Sequence, residues 1–181
     1  MEIEKFDIND VILFKPRVFT DDRGYFFEAF NQKTFNECVG YEVDFVQDNQ
    51  SQSQKGTVRG LHFQSPPFEQ GKLVSVVKGA VIDFLVDIRT NSLTYGDSMK
   101  VHLSENDFSF LWIPPGFAHG FCTLEDNTIF QYKCSNFYNK DSEGDLKWDD
   151  SKFGFGNLIK DPIVSEKDKK AQAFTSFNSP F

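Results

Sequence analysis

Arg59, His62 and Lys72 stand close together in V-R-G-L-H-F-Q-S-P-P-F-E-Q-G-K, Val58 to Lys72. They are a permanent cation, an imidazole and a titratable amine. A guanidinium binds phosphate oxygens in bidentate fashion. An imidazole titrates near neutrality and can take up a proton. A lysine opening an otherwise apolar run, K-L-V-S-V-V, is rare in an interior unless paired or functional. Asp83, the acid in V-I-D-F-L-V, is the candidate partner, and a plain Lys–Asp pair at a barrel rim is the alternative.

Two further groups belong with these. His119 follows a tight turn in I-P-P-G-F-A-H-G-F. Gly116 relieves that turn and His119 shares a strand face with Phe121, so it points inward, as a core residue or a site residue. Tyr132, in I-F-Q-Y-K-C, shares a face with Phe130 and Cys134 and needs a hydrogen-bond partner or a task. Arg23 joins Arg59 as a candidate for a diphosphate. His102 alternates with Val101 and Leu103 and falls on the polar face with Lys100, a surface position.

The elements that must position these groups read as short strands. V-R-G-L-H-F is one, ended by Pro66 and Pro67, which lack the amide a central ladder requires. Gly71 and Lys72 open the next, so the pair reads as one hairpin with its chemistry at one end. Arg59 and His62, three apart, would face opposite ways on a regular strand. Either Gly60 allows a bulge, or Arg23 reaches over from a second subunit to complete the phosphate site. Val11–Phe19 reads as a strand with an edge or bend at Pro16, T-D-D-R-G as a turn, and Tyr25–Phe30 as a strand carrying Glu28. Asn31 caps a short helix closed by Gly40. In F-V-Q-D-N-Q-S, Gln47, Asn49 and Ser51 share one face and Asp48 and Gln50 the other, a polar-lined strand that is costly inside a barrel unless those groups meet a ligand or one another. More strands, punctuated by Gly, Pro and Asn/Asp, follow to Ser135 and give an all-β barrel or sandwich. Ser165 then caps a short helical tail with Asp168 three residues on.

The 181 residues fit one domain, 1–181. Phe is abundant, 22 residues, so the core is aromatic-rich. A net charge of −8 argues against nucleic acid but leaves room for a small anion held by two or three local cations. Cys38, Cys122 and Cys134 are an odd count without a C-x-x-C, the pattern of reduced thiols in a cytoplasmic protein. No apolar run approaches the ~18 residues of a membrane span, and the N-terminus has no signal-peptide core.

The P-x-G-x-x-H spacing from Pro114 resembles the second half of the cupin motif. Metal-binding cupins carry His-x-His at the stretch matching His62, but here Gln64 replaces the second histidine. His62, His119 and Glu69 make a poor metal set, and unligated imidazoles suit acid–base chemistry. Along most of its length the chain resembles the dTDP-4-dehydrorhamnose 3,5-epimerase family of metal-free cupins. The motifs are R-G-Y-F-F-E-A-F, F-V-Q-D-N-Q-S-Q-S, T-V-R-G-L-H-F-Q-S-P-P-F-E-Q-G-K, W-I-P-P-G-F-A-H-G-F, Q-Y-K-C-S-N-F-Y and S-E-K-D-K.

That resemblance implies a cupin-type jelly-roll barrel, no cofactor and no metal. It implies that His62 is the base, Asp168 its partner, Lys72 the enolate's cation and Tyr132 the acid on the opposite face. Arg23, Glu28, Gln47, Asn49, Arg59, His119, Glu143 and Lys167 match positions that hold the nucleotide sugar, and Tyr138 the one that stacks on the base. The implied substrate is a nucleotide diphosphate 4-keto-6-deoxy sugar, inverted at C3 and C5, and the implied assembly a homodimer with strands crossing between subunits. A relative inverting one centre, or using another nucleotide sugar, is the alternative within enzymes. A non-catalytic sugar-binding cupin would have no need of His62, Asp168 and Tyr132 together. Two departures stand out: Phe63 replaces a common Tyr, and the stretch from Phe153 lacks the usual Trp-Pro before the tail.

Overall fold

A computed structural model describes every residue except Asn9. The strands are β1 (Glu2–Lys5), β2 (Ile12–Lys15), β3 (Phe19–Asp21), β4 (Gly24–Phe26), β5 (Gln47–Ser53), β6 (Thr57–Gln64) and β7 (Lys72–Lys78). They continue with β8 (Ala80–Asp87), β9 (Ser98–Ser104), β10 (Phe110–Ile113), β11 (Phe117–Thr123), β12 (Thr128–Cys134), β13 (Glu143–Asp145) and β14 (Ile163–Val164). One helix, α1 (Gln32–Val39), lies between β4 and β5. Asn31 caps α1 by accepting from the Thr34 amide at 3.1 Å, and Gly40 closes it at φ +86.

Two sheets make the jelly-roll barrel expected from the sequence. One runs β1-β2-β10-β7-β12-β5, the other β13-β6-β11-β8-β9, with β14 added in parallel to β6. The inner faces meet in a core that includes Leu13, Val74, Leu85, Leu111, Phe121 and Phe130. Their alternation with polar residues along each strand is what lets one face of each sheet leave water. Both outer faces are also covered. On the first sheet Phe35 of α1 packs against Phe14 and Trp112. On the second, Leu146, Trp148, Phe153 and Phe155 cover Phe63 and Phe84, with Phe174, Phe177 and Phe181 of the C-terminal segment beside them. Many of the phenylalanines are thus divided over three buried layers.

Four expectations need correction. The strands carrying His62 and Lys72 do not form a hairpin: β6 pairs with β11 and β13, while β7 pairs with β10 and β12 in the other sheet. Residues 65–71 cross from sheet to sheet, so the two strands face each other across the barrel. The chain from Val11 to Phe19 is broken at Pro16 into β2 and β3 rather than bent within one strand. The strand after Arg23 ends at Phe26, leaving Glu28 in an irregular segment. The turn itself narrows to Asp22 and Arg23, because Phe19–Asp21 pairs with Gly24–Phe26.

Candidate active site

Arg59 and His62 share a cavity because β6 is irregular between them. Gly60 takes φ +118, and the β6–β11 register shifts between His119 and Phe121. Of the two exits foreseen, the bulge at Gly60 brings Arg59 and His62 to one side within this chain. A Cβ on Gly60 would lie 2.6 Å from the Gly120 Cα, and one on Gly120 2.6 Å from the Arg59 carbonyl oxygen. The two glycines let the strands close backbone to backbone.

The cavity is about 470 Å³, within the range for a small-molecule site. Arg59, His62, Lys72, His119, Tyr132 and Asp168 line it. A second chamber of about 300 Å³ shares His62, Lys72 and Tyr132 and adds Gln47, Asn49, Tyr138 and Glu143. His62 comes from one sheet, and Lys72 and Tyr132 from the other.

His62 Nε2 lies 2.6 Å from the Asp168 carboxylate, which is buried. As expected, Ser165 caps the turn: its hydroxyl oxygen accepts from the Asp168 amide at 3.1 Å. Burial alone would raise the Asp168 pKa, but hydrogen bonds from His62 and the Gly60 amide hold it below the usual carboxylate value. Asp168 therefore stays ionised and fixes the tautomer of His62, with the proton on Nε2 and Nδ1 left as the basic nitrogen.

A second pair lies beside the first. His119, the cross-strand partner of His62, has its Nε2 2.8 Å from Asp83, which is fully buried. Burial pushes the Asp83 carboxyl up and the His119 imidazole down. Asp83 thus pairs with His119 rather than directly with Lys72, contrary to the rim pair considered from the sequence. Burial also pushes Lys72 below the ordinary lysine value. Among the described residues no hydrogen bond or ion pair engages its ammonium, which lies 5.8 Å from the centre of the Tyr132 ring. Burial raises the Tyr132 phenol, so it keeps its proton at neutral pH.

The second chamber is pre-ordered by its own bonds. Gln47 donates to Asn49 at 3.1 Å and accepts from the Tyr138 amide at 3.0 Å. Glu143 accepts from the Tyr138 hydroxyl at 3.4 Å and pairs with Lys167 at 2.6 Å. The half-exposed Tyr138 ring is free to stack on a flat ligand. Arg23 and Glu28 are not brought to either chamber. Arg23 is highly exposed on the β3–β4 hairpin, paired with Asp21, and Glu28 accepts from Asn31 at 3.3 Å. His102 is exposed, as its alternation indicates.

Sequence reasoning did not single out the apolar wall, where Phe121 stacks on Phe130 at 4.1 Å. The Ser51 hydroxyl, on the face it shares with Gln47 and Asn49, is buried in this cavity wall with no partner among the described residues. The alternation of β5 carried that signal. No group of three or more His, Cys, Asp or Glu among the described residues is placed to hold a metal ion.

A jelly-roll barrel with an acid-held imidazole, an unengaged ammonium and a protonated phenol around one cavity defines a cupin-type epimerase, an isomerase acting on acidic C–H bonds. A family model described as dTDP-4-dehydrorhamnose 3,5-epimerase matches residues 5–176. The enzyme of that name from Shigella flexneri is 49% identical over 174 residues, 96% of each chain. The chain belongs to the dTDP-4-dehydrorhamnose 3,5-epimerase family.

Solved structures agree. The Elizabethkingia anophelis enzyme superposes with a TM-score of 0.92 at 45% identity, covering 97% of both chains. The Legionella pneumophila dTDP-6-deoxy-D-glucose-3,5-epimerase, solved with dTDP-4-keto-L-rhamnose, gives 0.93 at 39%, covering 98% of this chain and 94% of that one. A 3'-monoepimerase from Streptomyces bikiniensis, solved with dTDP-quinovose, gives 0.87 at 27%, covering 93% and 85%.

Proposed function

We propose that this single-domain chain inverts C3 and C5 of dTDP-4-dehydro-6-deoxy-D-glucose, giving dTDP-4-dehydro-L-rhamnose. His62 removes a proton from a carbon beside the 4-keto group. Asp168 stabilises the imidazolium that forms. Lys72 stabilises the enolate oxygen, and Tyr132 returns a proton to the opposite face. Arg59 takes the diphosphate, with His119, Gln47, Asn49, Glu143 and Lys167 holding the rest of the nucleotide sugar and Tyr138 stacking on the base.

The observation that carries the reading is that His62 and Tyr132 come from opposite sheets into one cavity that also contains an unengaged ammonium. Inversion needs base and acid on opposite faces of one carbon. A metal is not required where a cation meets the developing charge.

Arg23 and Glu28 act from a second copy of the chain in a homodimer. Support comes from the β3–β4 hairpin, which exposes Phe19, Tyr25 and Phe26 around Arg23. No helix among the described residues is long and apolar enough to cross a membrane. The three free cysteines suit the cytoplasm.

The test is exchange in deuterated water, with C3 and C5 of the 4-keto sugar nucleotide followed by NMR. Deuterium at both carbons with inverted product is expected. Exchange at one carbon means a single-centre enzyme, and binding without exchange a different sugar or a non-catalytic cupin.

A further inference from the structure

The base and its carboxylate come from distant parts of the chain; β14 leads the chain back to β6, and a second attachment lies on the other side of that strand. His62 and Phe63 are consecutive on that strand and so face opposite ways. His62 faces the cavity and meets Asp168 at 2.6 Å. Phe63 belongs to the outer layer, where its ring meets Phe177 at 5.6 Å and Phe181 at 6.2 Å. The C-terminal segment therefore grips β6 from both faces, nine residues apart, with Asp168 inside and Phe177 outside.

Between these points the segment is tied down at intervals. The Lys147 amide donates to the Gln172 carbonyl at 2.8 Å, and the Phe174 amide to the Asp150 carboxylate at 2.9 Å. Phe174 packs on Phe153 at 5.3 Å. Farther on, the Ser179 hydroxyl donates to the Ile88 carbonyl and the Thr90 amide to the Phe181 carbonyl at 3.2 Å. Asp168 itself sits in one short turn, which is attached to β6 on its N-terminal side by β14 and on its C-terminal side by this docking.

We infer that Phe63, Phe177 and Phe181 are positioning residues for the epimerisation, holding Asp168 against His62 by docking the segment to the back of the same strand. The inference rests on the reading of His62 as the base.

The test couples the two faces of β6. Phe177→Ala and Phe181→Ala alter half-buried rings, and Phe177→Leu keeps the apolar contact, so the barrel core is untouched. Each is made in the wild-type chain and in Asp168→Asn. In the wild-type background the alanine variants are expected to lower kcat about tenfold, with KM for the nucleotide sugar changed less than about twofold, since a small misplacement of a reacting group costs rate. Phe177→Leu restores most of the loss. In the Asp168→Asn background they cost nothing further, because the contact they protect is already gone.

Losses that multiply with that of Asp168→Asn would show a merely structural role and overturn the inference. Wild-type kcat in the alanine variants, with kcat lost in Asp168→Asn, would overturn it too and leave the base reading standing. Full turnover in Asp168→Asn would sink the base reading itself, and this inference with it.

Discussion

His62 and His119 are cross-strand neighbours, each with a carboxylate at Nε2, and the two pairs differ in where that carboxylate comes from. Asp83 lies on β8, whose register with β11 sets it opposite Phe121 and so on the same face as His119, diagonally across from it. Asp168 lies 106 residues from His62 and reaches it only after the chain has crossed the outer face of the second sheet and paired through β14. The charges diverge accordingly. Asp83 is sealed in the barrel and pushed towards its neutral form. Asp168 sits among donors and is held ionised. The same two residue types therefore give a buried polar pair in one case and, in the other, an imidazole at a cavity wall held by an ionised carboxylate.

The widest separation between the pairs is expected on removing the imidazoles. His62→Ala should lower kcat by about 10³-fold, within the range for losing a general base, while dTDP binding by calorimetry changes little. His119→Ala should instead raise KM about tenfold and leave deuterium exchange into the sugar detectable. Equal loss of exchange in both would erase the distinction.

Replacing the carboxylates comes next. Asp168→Asn should cost about 10²-fold in kcat, because the tautomer of the base and the charge behind it are both lost. Asp83→Asn keeps shape at a site already pushed towards neutrality and should cost about tenfold or less. Steady-state kinetics on the two variants decides between them.

Gly60 lies where the two pairs meet. Gly60→Ala must hold φ +118 and place a methyl 2.6 Å from the Gly120 Cα. A loss of about 2 kcal/mol in urea unfolding is expected, since both strain and overpacking act. A loss under about 0.5 kcal/mol would mean that the bulge has other ways to form.

The smallest effect is the pH dependence of stability, and its sign differs between the pairs. The folded pKa of Asp168 is depressed, so its contribution is present above the unfolded carboxylate value, about 3.9, and is lost as pH falls through the folded value. The folded pKa of Asp83 is raised, so its contribution is present below the unfolded value and lost as pH rises through the folded one. Thermal unfolding at several pH values should show Asp168→Asn approaching wild type on acidification below about pH 4. Asp83→Asn should gain on wild type as the pH rises above about 4. Parallel curves for both would contradict the contrast.

Much of this was legible beforehand because it depends on local rules. Two-residue alternation grouped Gln47 with Asn49 on one face and put Tyr132 and His119 on inward faces, and each lines or borders the site. Ser165 three residues before Asp168 marked a capped turn, and the cap is made. Gly60 between two chemical residues suggested the bulge that β6 contains. Resemblance along the chain supplied the pairing of His62 with Asp168, which no local rule yields.

Pairing between strands was beyond such rules. Pro66 and Pro67 stop a strand whether the chain turns back or crosses to another sheet, so the hairpin reading of β6 and β7 was equally consistent with the residues. The choice of partner for Asp83 was likewise undetermined, since Lys72 and His119 are both plausible until register and burial select one. What the sequence determined by itself was the set of reactive groups, their strand faces and the turns that interrupt them. The tertiary structure alone decided which sheet each strand joins, and hence that base and acid meet from opposite walls. That choice is made by burying long-range apolar faces against one another, an energy that belongs to no single segment of the chain.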